Sequence, residues 1–221
     1  MSDFTKAEAL ASWRELPAMC APGFEGAYRY FQLLQDYNLK LNFYSRKLTP
    51  RDLWHDHVLD CAAGAPYFTG ARSVLDLGTG GGLPGLVLAT LHPNVHFLLC
   101  DKSPKKIHYL KQLTGDLGLH NVKLASAPQA ESLRKLDAAT TRAFGTLEKI
   151  LAVLGELLQG RPVRQLHYKA RRAGIEEDLA GLKGTAYEAR VHPLKVPGPD
   201  KERHLLELLP RATEPLAPSA T

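Results

Sequence analysis

Residues 76–85 read DLGTGGGLPG, and five of these ten residues are glycine. The segment 73–77, SVLDL, precedes the glycines and has the apolar character of a buried strand. The segment 84–91 follows them and is predicted to be a helix that ends at His92-Pro93. Glycine tolerates a positive φ and lets a ligand approach the backbone, because it has no Cβ. A strand, a glycine turn and a helix in this order predict a nucleotide-binding turn.

Two classes of ligand fit this turn. Gly80, Gly82 and Gly85 satisfy GxGxxG, the dinucleotide pattern in which a helix N-terminus faces a pyrophosphate. The same stretch satisfies DxGxGxG from Asp76, a pattern of enzymes that bind S-adenosyl-L-methionine. A carboxylate at the end of the strand repels a pyrophosphate and attracts ammonium and sulfonium groups, so Asp76 favours the methyl donor over NAD. Asp101, which follows the next strand, can accept hydrogen bonds from the ribose hydroxyls of either ligand.

From residue 73 onward, short apolar runs alternate with amphipathic stretches, as in a parallel sheet covered by helices. Ser103 and Pro104 begin one amphipathic helix that Gly118 ends, and Leu147–Leu158 forms another. The fold class is therefore α/β and Rossmann-like, with a mostly parallel seven-stranded sheet and helices on both faces. The predicted strands are 73–77, 95–100, 121–125, 138–141, 165–169 and a closing hairpin of 191–196 with 204–209.

The N-terminal part of the chain reads as helical. Apolar residues recur at helical spacing between Thr5 and Asp36, and a third helix is expected to run from Pro50 to Ala63. We therefore predict an N-terminal helical lobe over 1–66 and a Rossmann-like domain over 67–210. The tail 211–221 is polar and rich in proline, which predicts disorder.

Composition restricts the class of protein further. The 221 residues carry a formal net charge of +5, which is compatible with a polyanionic partner. No apolar run has the length of a membrane span, and the first residues lack the pattern of a signal peptide, so we expect no membrane contact and a cytoplasmic location. Three cysteines without a CxxC pair, and a His55/His57 pair that faces two sides of a helix, predict no disulfide framework and no metal site.

Several motifs together resemble one known family, and the resemblance runs from about Tyr37 to Leu206. The sequence is similar to the glucose-inhibited division protein B family, RsmG, of bacterial small-subunit rRNA guanine-N7 methyltransferases. The motifs that carry this resemblance are YNLKLN (37–42), HDHVLDC (55–61), LDLGTGGGLPG (75–85), LLCDKSPKKIHYLKQL (98–113), TRAFGTL (141–147) and ERHLL (202–206).

The resemblance implies an enzyme of the class I S-adenosyl-L-methionine-dependent methyltransferase fold. Its methyl acceptor would be ring N7 of a guanine in the decoding-region loop of 16S rRNA, in an assembled or nearly assembled small ribosomal subunit. The chain would act as a monomer. The implied roles are cofactor contacts by Gly78 and Leu83, backbone contacts to the adenine by Pro128 and Gln129, a position between cofactor and RNA for Arg142, and substrate contacts by Lys169 and Arg203.

Four residues depart from the family pattern. Asp56 stands where the family has arginine, and Cys61 where it has serine. Ala127 replaces an arginine after the third strand, and Ala170 replaces the glycine of an LKG segment. Besides an NAD-dependent oxidoreductase, a non-catalytic RNA-binding assembly factor with the same fold therefore stays open.

The chemistry of guanine N7 fits a chain in which no general base can be recognised. N7 carries an exposed lone pair in the neutral base, so alignment of donor and acceptor supplies much of the rate enhancement. Arg142 follows the predicted fourth strand, at the edge where open α/β sheets bind ligands, and we expect it to hold the target phosphate or the guanine edge. Phe144 either stacks on a flipped base or packs in the core. Two basic clusters form the expected RNA footprint: Arg161, Arg164, Lys169, Arg171 and Arg172, and Lys102, Lys105, Lys106 and Lys111.

Overall fold

A seven-stranded sheet forms the centre of the computed structural model, which describes residues 4–41, 43–170, 172–182, 184–198 and 201–211. The strand order is β3-β2-β1-β4-β5-β7-β6, in which β7 runs antiparallel to both of its neighbours. The strands are β1 (Ser73–Leu77), β2 (His96–Cys100), β3 (Val122–Ala125), β4 (Ala138–Arg142), β5 (Arg164–Lys169), β6 (Tyr187–Pro193) and β7 (His204–Pro210).

Helices cover the sheet on both faces. Three N-terminal elements are 3-10 or π-helical: Ala18–Gly23 and Ala65–Phe68 are 3-10 helices, and Trp54–Leu59 is a π-helical segment. The α-helices are α1 (Lys6–Trp13), α2 (Phe24–Asn38), α3 (Pro50–Leu53), α4 (Asp60–Ala63), α5 (Gly85–Leu91), α6 (Pro104–Asp116), α7 (Ala130–Arg134), α8 (Leu147–Leu157) and α9 (Arg172–Ala180).

The sheet topology places the glycine turn at a ligand-binding edge. β1 pairs in parallel with β2 on one side and with β4 on the other, so the strand order reverses at β1. A crevice forms outside the carboxyl ends of strands at such a switch point. Leu77 and Cys100 are partners in the register of β1 and β2, which brings the residues that follow them to the same crevice.

The N-terminal helices pack on the sheet through one shared hydrophobic core. Trp13, Tyr30 and Trp54 are buried in the same cluster as Val74 of β1 and Leu166 of β5. The boundary between a lobe at 1–66 and a domain at 67–210 remains a prediction. Of the predicted disordered tail at 211–221, Arg211 donates its N–H to the carbonyl oxygen of Ala186 at 2.8 Å, and residues 212–221 lie outside the described residues.

Two sequence-based boundaries were wrong. The penultimate strand spans Tyr187–Pro193 and not 191–196, because it pairs with β7 through Tyr187 and Pro210 at its start. The helix expected from Pro50 to Ala63 is interrupted by the π-helical segment. The strand predicted at 138–141 was confirmed, and it extends to Arg142.

Candidate active site

The glycine turn after β1 is bare enough for a ligand to approach the backbone. Gly78 has φ +75°, a conformation that L side chains rarely adopt. A Cβ at Gly78 would lie 2.3 Å from Cδ2 of Phe144, so this aromatic ring covers one side of the turn. The N–H groups of Gly78 and Thr79 donate to the carbonyl oxygen of Cys100, at 2.8 and 3.0 Å, and fix the turn to β2.

Asp76 lies directly beneath this turn and is 0% exposed. Its Oδ2 accepts hydrogen bonds from Thr79 Oγ1 at 2.7 Å and from the N–H of Gly85 at 2.8 Å. Its Oδ1 is buried and has no hydrogen-bond partner among the residues that the structure describes. Burial raises the pKa of Asp76 to about 7, although both hydrogen bonds oppose the rise. An unsatisfied carboxylate oxygen therefore remains beside the bare turn.

Asp101 closes the other side of the turn. Its Oδ2 accepts from the N–H of Gly80 at 3.0 Å, and its Oδ1 accepts from the N–H of Ser103 at 3.0 Å. Lys106 Nζ lies 3.6 Å from the same carboxylate. Each carboxylate oxygen has more than one acceptor position, so Asp101 can accept a further hydrogen bond from a ligand hydroxyl.

The other predicted cofactor residues lie along the same edge. Leu83 is half-buried, and its N–H donates to the carbonyl oxygen of Thr79 at 3.0 Å, which keeps it in the turn. Pro128 and Gln129 follow β3, whose last residue Ala125 is the register partner of Cys100. The turn, Asp101 and the loop before α7 thus border one crevice.

A second feature is a cavity beside the turn, which we call the acceptor cavity because the residues expected to face the RNA line it. Its volume is about 330 Å³, and Phe144 lines it. The three cationic side chains predicted to act near the RNA, Arg142, Lys169 and Arg203, line it as well. Because Phe144 also lies against Gly78, its ring borders both the glycine turn and the acceptor cavity. The sheet therefore holds the glycine turn beside a cavity lined by three cationic side chains and by Asp60.

Arg142 is fixed by the N-terminal helices. Its Nε donates to Oδ2 of Asp60 at 3.1 Å, and its NH2 group donates to the carbonyl oxygen of Asp56 at 2.8 Å. Both partners belong to the π-helical segment or to the residue after it. Burial raises the pKa of Asp60, and the guanidinium groups of Arg142 and Arg203 oppose that rise. Within the described part of the chain, Arg142 forms its ion pair with Asp60 and not with Glu148, which is closer in sequence.

Asp56, one of the departures from the family pattern, pairs with the loop before β7. Its carboxylate lies 2.9 Å from Lys201 Nζ and 3.3 Å from the NH2 group of Arg203. Arg203 also reaches Asp60 at 3.3 Å, so two carboxylates hold its side chain, which is 17% exposed. Burial, reinforced by Arg142, lowers the pKa of the nearby His57 to about 4. His57 is therefore a neutral neighbour of this charge network near pH 7.

The predicted RNA footprint was wrong in one respect, because the cluster from Arg161 to Arg172 does not form one patch. Arg161 and Lys169 flank opposite ends of β5. Arg164 forms an ion pair with Glu207, and Lys169 Nζ lies 2.6 Å from Asp178. Arg171 lies outside the described residues. Only Lys169 of this cluster lines the acceptor cavity.

Sequence reasoning missed Asp60 as a functional residue. Asp60 lines the acceptor cavity and contacts both arginines there. The available signal was its place in HDHVLDC, where a carboxylate lies among apolar helical residues. Among the described residues, no group of three or more His, Cys, Asp or Glu side chains is arranged to hold a metal ion. No described helix is long and apolar enough to cross a membrane.

The sheet order, the antiparallel last strands and the glycine turn after β1 define the class I methyltransferase fold. The crystal structure of an O-methyltransferase from Bacillus cereus, in complex with SAH, has this fold. It superposes with a TM-score of 0.52 at 13% identity, over 81% of this chain and 90% of that chain. Likeness at this level concerns the fold alone.

The chain belongs to the GidB family, rRNA small subunit methyltransferase G, whose model matches residues 24–206. A ribosomal RNA small subunit methyltransferase G from Brachyspira hyodysenteriae is 30% identical over 184 residues, which cover 82% of this chain and 88% of the relative. One from Xanthomonas campestris pv. campestris is 35% identical over 201 residues, which cover 90% and 92%. Family membership supports an rRNA methyltransferase over an oxidoreductase and over a non-catalytic factor.

Proposed function

We propose that this protein transfers a methyl group from S-adenosyl-L-methionine to N7 of a guanine in the decoding-region loop of 16S rRNA, in the small ribosomal subunit. One observation carries the proposal beyond family membership. The bare turn at Gly78 and the cationic acceptor cavity lie side by side and share Phe144. A methyl donor on the turn and a base in the cavity would therefore lie next to each other, flanked by Phe144.

The residues at the turn fit the proposed donor. The unpartnered Oδ1 of Asp76 offers a buried negative charge to a cationic ligand. Gly78 has no side chain to stand between the ligand and the backbone of the turn, and Asp101 retains acceptor capacity for ribose hydroxyls. Leu83 would line the cofactor, and Pro128 and Gln129 would contact its adenine through their backbone. The bound donor would supply an electrophilic methyl group on a sulfonium.

The residues of the acceptor cavity would bind and align the guanine. Its N7 lone pair is available without removal of a proton, so the site requires no general base. Arg142 would donate to the guanine edge or to the adjacent phosphate, while Lys169 and Arg203 would contact neighbouring phosphates. Phe144 would stack on the flipped base. Asp60 is a positioning residue, because it orients Arg142 and Arg203.

The N-terminal helices would serve this site by holding the turn. Tyr30 donates its hydroxyl hydrogen to the carbonyl oxygen of Gly81 at 2.9 Å, and a Cβ at Gly81 would lie 3.1 Å from Phe43. The proposed division is therefore a supporting helical lobe at 1–66 and a methyltransferase domain at 67–210. A ribosomal substrate also favours the cytoplasm as the location.

The direct test uses small subunits from a strain that lacks the protein, incubated with it and labelled S-adenosyl-L-methionine. We expect label in 16S rRNA, and primer extension after cleavage at N7-methylguanine should stop at one decoding-region position. Binding of subunits without label would support the assembly factor instead. Saturable calorimetric binding of NAD, with none of the methyl donor, would support the oxidoreductase.

The charge on Asp76 predicts a pH-dependent donor affinity. Near pH 8.5 this carboxyl, with its pKa of about 7, is ionised and attracts the cationic donor, whereas near pH 5.5 it is neutral. The isosteric Asp76→Asn variant is neutral throughout. We expect it to bind the donor about tenfold more weakly than wild type near pH 8.5 and equally near pH 5.5.

Calorimetry of both proteins at the two pH values provides the measurement. The amino group of the donor also titrates in this range, but it does so identically for both proteins, so the ratio of their dissociation constants isolates Asp76. A ratio that stays constant across this range would contradict the proposed role of the charge.

A further inference from the structure

A second cleft opens at the opposite edge of the sheet from the glycine turn. We call it the amino-edge cleft, because Ser73, His96 and Asp137 line it at the amino ends of β1 and β2 and just before β4. Its volume is about 840 Å³, the larger of the two cavities described. A five-residue strand spans roughly 16 Å, so this cleft is well separated from the donor turn.

The cleft exists because one face of β2 and β3 is left partly uncovered. His96 and Leu98 project from the same face of β2, and Lys123 of β3 is the register partner of Leu98. Helix α7, which follows β3, has only five residues and covers little of this face. Strands buried between two helical layers are apolar on both faces, whereas His96 and Lys123 are exposed here. This part of the sheet is built to contact water or a polar partner.

The amino-edge cleft carries a strong positive charge. Its lining includes five Lys or Arg side chains and two carboxylates, an excess of three positive charges in a chain whose formal net charge is +5. The two carboxylates are already paired, because Glu131 contacts Arg134 and Asp137 contacts Arg72. The five cationic residues are Arg72, Lys123, Arg134, Lys135 and Arg161.

Two of these cations are available to a partner, and a third is held in place. Lys123 and Lys135 are exposed, and the described residues offer neither of them a carboxylate within ion-pair distance. Arg161 donates to the carbonyl oxygens of Leu136 at 3.3 Å and Leu133 at 2.6 Å. These bonds fix the position of the guanidinium and leave its charge uncompensated.

We infer that the amino-edge cleft binds the phosphate backbone of rRNA, as a contact separate from the acceptor cavity. This inference rests on the proposed function. Its charge suits a polyanion. Phe97, the one Phe, Tyr or Trp side chain in its lining, is 1% exposed and packs in the core, so the rings that a partner could reach there are the imidazoles of His96 and His120. Phosphate contacts position a protein on RNA without reading sequence. The cleft therefore adds affinity for the subunit, while the acceptor cavity selects the base.

The test is the double variant Lys123→Glu/Lys135→Glu, with Lys123→Gln/Lys135→Gln as a milder form. The matched control is Arg190→Glu/Lys195→Glu, which makes the same charge change at exposed positions on and beside β6, far from β3. We expect the first variant to raise KM for small subunits at least about tenfold, with kcat within about twofold of wild type. Binding to protein-free 16S rRNA should weaken likewise and depend less steeply on salt.

Each outcome decides one question. Suppose that the wild type is active and that KM is unchanged in both cleft variants, or changes equally in the control. Either result would overturn the inferred rRNA contact at the cleft and leave the proposed function intact. Weaker binding to subunits alone, with unchanged binding to free 16S rRNA, would assign the cleft to a ribosomal protein and overturn the RNA contact. An inactive wild type that binds subunits would refute the proposed enzyme, and the rRNA binding assay would still test the cleft.

Discussion

Replacement of Arg142 with alanine is expected to lower the rate of 16S rRNA methylation by at least about 100-fold. Arg142 is a positively charged hydrogen-bond donor at the carboxyl end of β4, where it lines the acceptor cavity beside Phe144. Arg142 would act by aligning the base with the methyl group, and a misplacement of about 1 Å in such an alignment can lower the rate about 100-fold. The affinity for S-adenosyl-L-methionine should change little, because the glycine turn is held by β2 and the N-terminal helices. Single-turnover methylation of small subunits and donor calorimetry provide the two measurements.

A folding defect must be separated from a loss of function in this variant. Arg142→Ala removes a partner of Asp60, which is 7% exposed, and breaking such a buried pair costs about 3 to 5 kcal/mol. The double variant Arg142→Ala/Asp60→Asn removes the buried carboxylate charge that would otherwise keep Arg203 as its remaining ion-pair partner. We expect it to regain most of the melting temperature and none of the methylation. Recovery of both would show that Arg142 supports only the fold.

The second large effect is expected from Gly78→Ala, which should weaken binding of the methyl donor at least about 100-fold. The added Cβ would stand 2.3 Å from Cδ2 of Phe144, so the ring that borders both the turn and the acceptor cavity would have to move. The φ of +75° adds strain of about 1 kcal/mol or more. Calorimetry with S-adenosyl-L-methionine gives the dissociation constant, and a melting curve reports the strain.

Gly118→Ala is the matched control for this variant. Gly118 has φ +65°, so alanine meets similar backbone strain. No other atom lies within 4 Å of the position that its Cβ would take, and Gly118 follows α6, away from the turn. Both variants should lose stability, and only Gly78→Ala should lose donor affinity. Equal donor affinity in the two variants would remove Gly78 from the proposed cofactor site.

The glycine turn was predictable from sequence because its determinants are local. Five glycines after an apolar strand specify the turn whatever packs around it, and Ser103-Pro104 specifies the start of α6 in the same way. The weak strand β4 was placed by the spacing of its neighbours, because AATTR has little strand propensity.

The arrangement around Arg142 could not be read in the same way. Its partners Asp56 and Asp60 lie more than 80 residues away in the chain, and a π-helical segment presents them. The sequence HDHVLDC has the periodicity of an ordinary helix, so it does not reveal the extra residue in the turn. The prediction that the basic residues near β5 form one patch was wrong for a related reason. A strand separates its ends in space, so neighbours in sequence such as Arg161 and Lys169 face opposite edges.

The ties of Asp56 and Asp60 to Arg203 have a consequence for the nascent protein. The glycine turn at 76–85 is translated well before Arg203, to which both carboxylates are paired. A product that terminates before it would retain the methyl-donor turn and lack one wall of the acceptor cavity. The proposed modification of the ribosome thus requires translation to proceed through Arg203.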